Sequence, residues 1–440
     1  MRSYSITQLT AVALLTAVPA FAEDISAVVF DACRSKPEFF VYVPAEHTGR
    51  DAENQHFIVT PTPKGAFLAV WTQSSTENKP DQRIVVRRST DRGRTWGEVV
   101  EIDGQTDGNG HRASWGFPVV TPGGRIYVFY NKNIGVQDVR EDTTGEMRFK
   151  YSDDDGLTWK GPHTIPLPKV KRSHPDPKVP ESWIVYQAPV VLDGQVIAPF
   201  THWASSYHIK TSDLFQRDSR IHFIRFDNLL TETDPTRLRV SILPEDGEGI
   251  AVPRADKPEV SVAQEATVAR LSDGRWFAIF RTLRGSIWWS QSRDAGKTWA
   301  PAAELRYAPG GDVVKQPICP APMYQLRDGR LVLIFHNNDG SANGGRGPAD
   351  YTKNRSPAWI TIGRERNPLP AGDEQPVTFD PPRVLMTNDL VPAGPIGRTE
   401  LATYTSLFEY EGHAYFWYPD RKHYLLGRLL DDVLAQPAGR

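Results

Sequence analysis

The stretch QEATVARLSDGRWFAIFRTLRGSIWWSQSRDAGKTW, residues 264–299, carries a complete structural unit. Apolar residues run through Val268 and Leu271, break at Asp273-Gly274, resume through Trp276, Phe277, Ile279 and Phe280, and return in Ile287-Trp288-Trp289. Short apolar runs divided by tight turns predict a three-strand meander. The stretch closes on Ser292 to Trp299, an S-x-D-x-G-x-T-W pattern whose Asp and Gly suit a turn and whose Trp can plug the space beneath it. The pattern recurs at Ser89 to Trp96 and at Ser152 to Trp159.

Working outward, the motif of apolar run, Gly-containing turn and second apolar run occurs six times: Phe57–Trp71, Phe117–Tyr130, Tyr186–Phe200, Ala266–Phe280, Met323–Phe335 and Tyr404–Tyr418. A third apolar strand follows each, and the loose spacing is that of a repeat with variable loops. Six four-stranded sheets around an axis make an all-β, six-bladed β-propeller, which closes without a long exposed edge. The innermost strand of each blade then borders the central channel. Counting back eight to ten residues from each turn glycine gives Gln55, Trp115, Tyr186, Glu265, Pro320 and Tyr404 as residues converging on one mouth.

The first 22 residues read as an export signal, with Arg2, an apolar run from Leu9 through Val18, and Ala20-Phe21-Ala22 for cleavage. The rest, 23–440, is expected to be a single propeller domain, secreted or periplasmic, with no stable membrane span after cleavage. A net charge of −2 argues against a nucleic-acid partner. No cofactor is called for. The run Asp153-Asp154-Asp155 lacks the ligand spacing of a calcium loop, so no metal is expected either. Cys33 and Cys319 are compatible with one disulfide or with two separate thiols.

The three S-x-D-x-G-x-T-W turns and the six hairpins make the chain resemble the sialidase (neuraminidase) superfamily, whose Asp boxes decorate a six-bladed propeller. The resemblance spans essentially the whole mature chain. It implies a Tyr nucleophile, Tyr404 in Tyr404-Thr405-Ser406-Leu407, activated by Glu265 as base. It implies Arg281 and Arg355 as ligands of a substrate carboxylate, and Asp81 as acid/base. A phenol with a pKa of about 10 needs a carboxylate to accept its proton. A neutral nucleophile also avoids repulsion from a sugar that carries its own carboxylate, and sialidases use Tyr where other glycosidases use carboxylates. Arginines suit that carboxylate by charge-assisted, bidentate hydrogen bonds.

The pattern departs at the first blade. Where the family has Arg-Ile-Pro, this chain has Gln55-His56-Phe57, with Arg50 five residues upstream. Gln55, His56, Trp115 and Tyr186 are the expected further substrate contacts. Together these residues imply a sialidase-like exo-glycosidase releasing a terminal acidic sugar from a glycan. A second reading is a uronate polysaccharide lyase using His111, Arg112 and Tyr186. A third is a non-catalytic glycan-binding propeller. His202, Trp203, His208 and His336 are further polar candidates near a mouth.

Overall fold

A computed structural model describes residues 35–46, 48–105, 111–211, 213–215, 217–388 and 393–436. The stretch expected to be an export signal and Cys33 lie outside these residues; Cys319 is buried. The described chain forms six antiparallel sheets, the six-bladed propeller expected. Blade one comprises Glu53–Pro61, Phe67–Ser74, Arg83–Ser89 and Val100–Asp103 in that spatial order. Blade two runs from Ala113–Val120 out to Lys160–Ile165, and blade four from Ala263–Arg270 to Ala303–Glu304. Blades three and five each have one strand broken in two: the innermost of blade three (Trp183–Ile184 and Val190–Leu192) and the outermost of blade five (Val377–Phe379 and Arg383–Met386).

Blade six starts on Ser406–Tyr410 and is completed by Phe39–Tyr42, the first described strand, which pairs antiparallel with Tyr424–Leu429. The first and last described strands therefore share one sheet. That pairing closes the ring and covers an edge that would otherwise be open.

Period-two side-chain alternation explains why strands with no polar face still form sheets. In Phe67–Ser74, the side chains of Phe67, Ala69 and Trp71 pack with blade six around Trp417, while Leu68 and Val70 pack with blade two around Val128. Every blade is sandwiched by its neighbours, so both faces of its second strand are apolar. Four further clusters fill the other interblade gaps, and a seventh small one, Trp115, Ile184, Tyr186, Trp203 and Tyr404 among its members, sits at the channel mouth.

The three Asp boxes are turns on the blade rims with the same hydrogen bonds. In the box after the third strand of blade four, Asp294 accepts from Ser292 Oγ (2.8 Å), the Thr298 amide (2.9 Å) and Thr298 Oγ1 (2.6 Å). Gly296 has φ +83° and lies against the Trp276 ring, so any side chain there would collide with it. Asp91 and Asp154 repeat the arrangement. These carboxylates are consumed by turn geometry. Asp153 pairs with Arg125 and Lys160, and Asp155 with Arg88, while Asp154 is held by the turn hydrogen bonds.

Candidate active site

Four residues on the channel wall share a backbone feature that no sequence pattern announces. His56 (φ +54°), Trp115 (+57°), Glu265 (+52°) and Tyr404 (+68°) all adopt left-handed conformations. The first three sit at register shifts in the innermost strands of blades one, two and four, between Gln55 and Ile58, Ser114 and Phe117, and Gln264 and Ala266. Tyr404 lies two residues before the innermost strand of blade six. A bulge gives the strand an extra residue and re-aims its side chain. Non-glycine residues at positive φ cost about 1–3 kcal/mol each and persist where the surroundings over-determine them. Here the second strand of the preceding blade supplies that support: Thr72 Oγ1 accepts from the Trp115 amide (3.0 Å), and Thr201 Oγ1 from the Glu265 amide (2.7 Å).

The re-aimed side chains meet. Tyr404 donates its hydroxyl hydrogen to Glu265 Oε1 at 3.1 Å, and Arg281 Nη1 lies 2.6 Å from Glu265 Oε2. Arg281 is itself oriented by two hydrogen bonds to Gln264 Oε1, at 3.2 and 2.7 Å. Arg355 donates to the Ile318 carbonyl (2.7 Å) and approaches Glu400 (3.6 Å). Burial pushes the Tyr404 phenol well above its ordinary pKa, and the charge on Glu265 adds to this. Burial also raises Glu265, with Arg281 and Arg355 pulling the other way. Proximity to Cys319, Glu400 and Tyr404 outweighs burial at Arg355 and keeps it cationic.

These residues open into a cavity of about 500 Å³. Its lining includes the charged Arg140, Arg281, Arg355, Arg398, Lys422, Glu77 and Glu265. Trp115, Ile184, Trp203, Leu214, Phe215 and Tyr351 add apolar surface, and the exposed Asp213 also lines it. Five cationic side chains against three carboxylates bias the lining toward an anionic ligand.

Glu265, Arg281, Arg355, Tyr404 and Trp115, all expected from the sequence, line this cavity, as does Trp203. Gln55 does not, and neither does His56, the next residue, which sits at the bulge and is buried behind Trp115 and Tyr404. The His56 ring stacks on Trp115, meets the Tyr404 ring edge-on, and bonds Thr72 Oγ1 at 3.0 Å. Burial, opposed by Glu77 but reinforced by Lys422 and Arg140, holds this imidazole well below its ordinary pKa and therefore neutral. Arg50 stays on the surface near Glu101.

Tyr186 is buried beside Tyr404 and does not line the cavity. Asp81 is a turn residue, accepting from the Ser75 amide at 3.0 Å, away from the cavity wall. The structure does not bring His111, Arg112 and Tyr186 together at it either. Arg112 is bound to Asn78 and Glu141, and His111 does not line it. His202 pairs with Glu181, and His208 and His336 bond the carbonyls of Ser173 and Leu401.

The charged residues missed by sequence are Glu77, Arg140, Asp213, Arg398 and Lys422, all on loops between strands. The turn Asp420-Arg421-Lys422-His423 looks like a solvated charged turn, yet all four residues are buried. Glu53, buried in blade one, accepts from Thr76 Oγ1 (2.8 Å) and the Glu77 amide (2.7 Å), and so fixes the loop that carries Glu77. Glu77 then meets Lys422 (3.0 Å) and Arg140 (3.1 Å). Burial would raise its pKa, but those two cations hold it well below the usual carboxylate range. Among the described residues no three His, Cys, Asp or Glu side chains are grouped as metal ligands.

The propeller, its rim boxes and this mouth define a sialidase-type scaffold. The BNR repeat-like domain model matches residues 65–420, and the chain belongs to that family. No curated protein matches it. Among solved structures it is similar to the Hadza microbial sialidase Hz136, with 16% identity, a TM-score of 0.56, and 87% of this chain and 67% of that one covered. It is also similar to the intramolecular trans-sialidase from Ruminococcus gnavus (14%, 0.58, 90% and 98%). A protein of unknown function from Dyadobacter fermentans gives 15%, 0.55, 89% and 96%. At such identities the likeness is one of fold. No described helix is long and apolar enough to cross a membrane.

Proposed function

We propose that the chain is an exported exo-glycosidase that releases a terminal acidic sugar from a glycan through a covalent tyrosyl intermediate. The observation that carries this reading is the Tyr404–Glu265 hydrogen bond inside a cavity lined by cations. Tyr404 Oη attacks the anomeric carbon while its proton passes to Glu265, and the bond to the leaving oxygen breaks. Arg281 and Arg355 hold the sugar carboxylate, which a neutral phenol approaches without charge repulsion.

The leaving oxygen needs a proton. Asp81 is turned away, and Glu77 is held ionised, so the acid/base role falls to Asp213, the remaining carboxylate of the cavity. Water, deprotonated by Asp213, then attacks the glycosyl-tyrosine, and Tyr404 departs with the proton held by Glu265. Two displacements at one carbon retain the anomeric configuration.

The test is a panel of glycans ending in nonulosonic or uronic acids, with product masses read out for wild type and Tyr404→Phe. The reading expects a released acidic monosaccharide and loss of turnover in the variant. A fluorinated, activated donor sugar should add its glycosyl mass to the peptide containing Tyr404. Undiminished turnover by Tyr404→Phe would refute the assignment.

A further inference from the structure

We infer that Lys422, carried by the last blade, supplies the third cation of the substrate-carboxylate clamp, in place of the arginine absent from the first blade. The inference rests on the proposed anionic substrate and identifies a specificity-determining residue in the same cavity.

Blade one contributes Glu77 and Asn78 to the described cavity lining, and no cation. Its bulge residue, His56, is buried with its ring against Trp115 and Tyr404, does not line the cavity and carries no charge. Gln55 is buried away from the cavity and Arg50 remains outside it. Arg281 is largely engaged by Glu265 and Gln264. A substrate carboxylate held by Arg281 and Arg355 alone would leave the blade-one side of the site without a cation.

Lys422 reaches that side. Its carbonyl accepts the amide hydrogen of Asn54 at 2.7 Å, which ties the last-blade turn to the first-blade strand immediately before Gln55 and His56. Its ammonium lies 5.9 Å from the centre of the Tyr404 ring and lines the cavity. Lys422 and its neighbour Arg421 adopt φ of +51° and +54°, a strained turn for two long side chains. The ammonium is aimed by Glu77 at 3.0 Å and by the buried Glu53 at 3.8 Å. An ammonium has three donors, so these contacts leave capacity for a ligand oxygen. Arg140 is committed to Asp142 and Glu77. Arg398 is the rival, since it lines the same cavity at 3.5 Å from Glu53.

The experiment compares two ligands of one shape. A nonulosonic acid and its C1 amide are titrated by calorimetry into wild type, Lys422→Met, Lys422→Arg, Arg398→Met and Tyr404→Phe, each first checked for folding by circular dichroism. Wild type should prefer the acid. Lys422→Met should lose tenfold or more in affinity for the acid with little change for the amide, and Lys422→Arg should keep most of the preference.

Equal losses for acid and amide would mean that Lys422 only supports Glu77, and would overturn the inference. So would an acid preference lost in Arg398→Met and kept in Lys422→Met, or a wild type that prefers neither ligand. Tyr404→Phe should bind both ligands as wild type does. Undiminished turnover in that variant, with the Lys422 effect intact, would defeat the nucleophile assignment while supporting the clamp.

Discussion

Tyr404 and Glu265 stand 139 residues apart in the chain, yet they share one hydrogen bond of 3.1 Å across the channel mouth, each on a left-handed backbone. Glu265→Gln keeps the shape and a hydrogen-bonding partner but cannot take the phenol proton. Its kcat should fall about 10²- to 10⁴-fold with little change in KM, measured on the best substrate of the glycan panel.

The pH dependence follows from the same pair. Glu265 must be ionised to accept the proton, and burial raises its pKa, so the rate falls as pH drops through that raised value. Arg281 opposes the rise; removing it raises the Glu265 pKa further. The acid limb of kcat for Arg281→Met should therefore move to higher pH. The Tyr404 phenol is itself displaced well upward, so its ionisation should not produce an alkaline limb in the ordinary range.

Asp213→Asn should reveal the acid by its dependence on the leaving group. Turnover of glycans with alkoxide leaving groups should drop about 10²-fold or more, while aryl glycosides with acidic phenols lose far less at the first step. Asp81→Asn, by contrast, should leave this dependence unchanged, since Asp81 serves the Ser75 amide.

His111→Ala should retain wild-type turnover, because His111 does not line the cavity. A near-ultraviolet-absorbing unsaturated uronate released by wild type and by Tyr404→Phe, but not by an inactive His111→Ala variant, would instead support a lyase.

The Asp boxes are expected to govern stability alone. Asp294→Ala removes three hydrogen bonds at an exposed rim turn and should cost about 1 kcal/mol in denaturant unfolding with kcat unchanged.

Much of this architecture was legible in the chain because its causes are local. The alternation of Phe67 to Trp71 between two neighbouring blades, the Gly turns of the six hairpins and the S-x-D-x-G-x-T-W boxes each act within a few residues, so spacing reveals them. Counting along the innermost strands also found Trp115, Glu265 and Tyr404. The spacing places Gln55 on the same ring and His56 beside it, but neither lines the cavity, because a bulge between Gln55 and Ile58 shifts the register there and turns both side chains into the packed interior.

The charged lining of the cavity depended on ring closure. Lys422 meets Glu53, Glu77 and Asn54 only because the first and last blades lie side by side, and Arg140 reaches Glu77 from blade two. These contacts join loops of unrelated length, whose ends are set by packing between blades. No interval in the sequence encodes them, and the three-dimensional ring alone decides which charges face Tyr404.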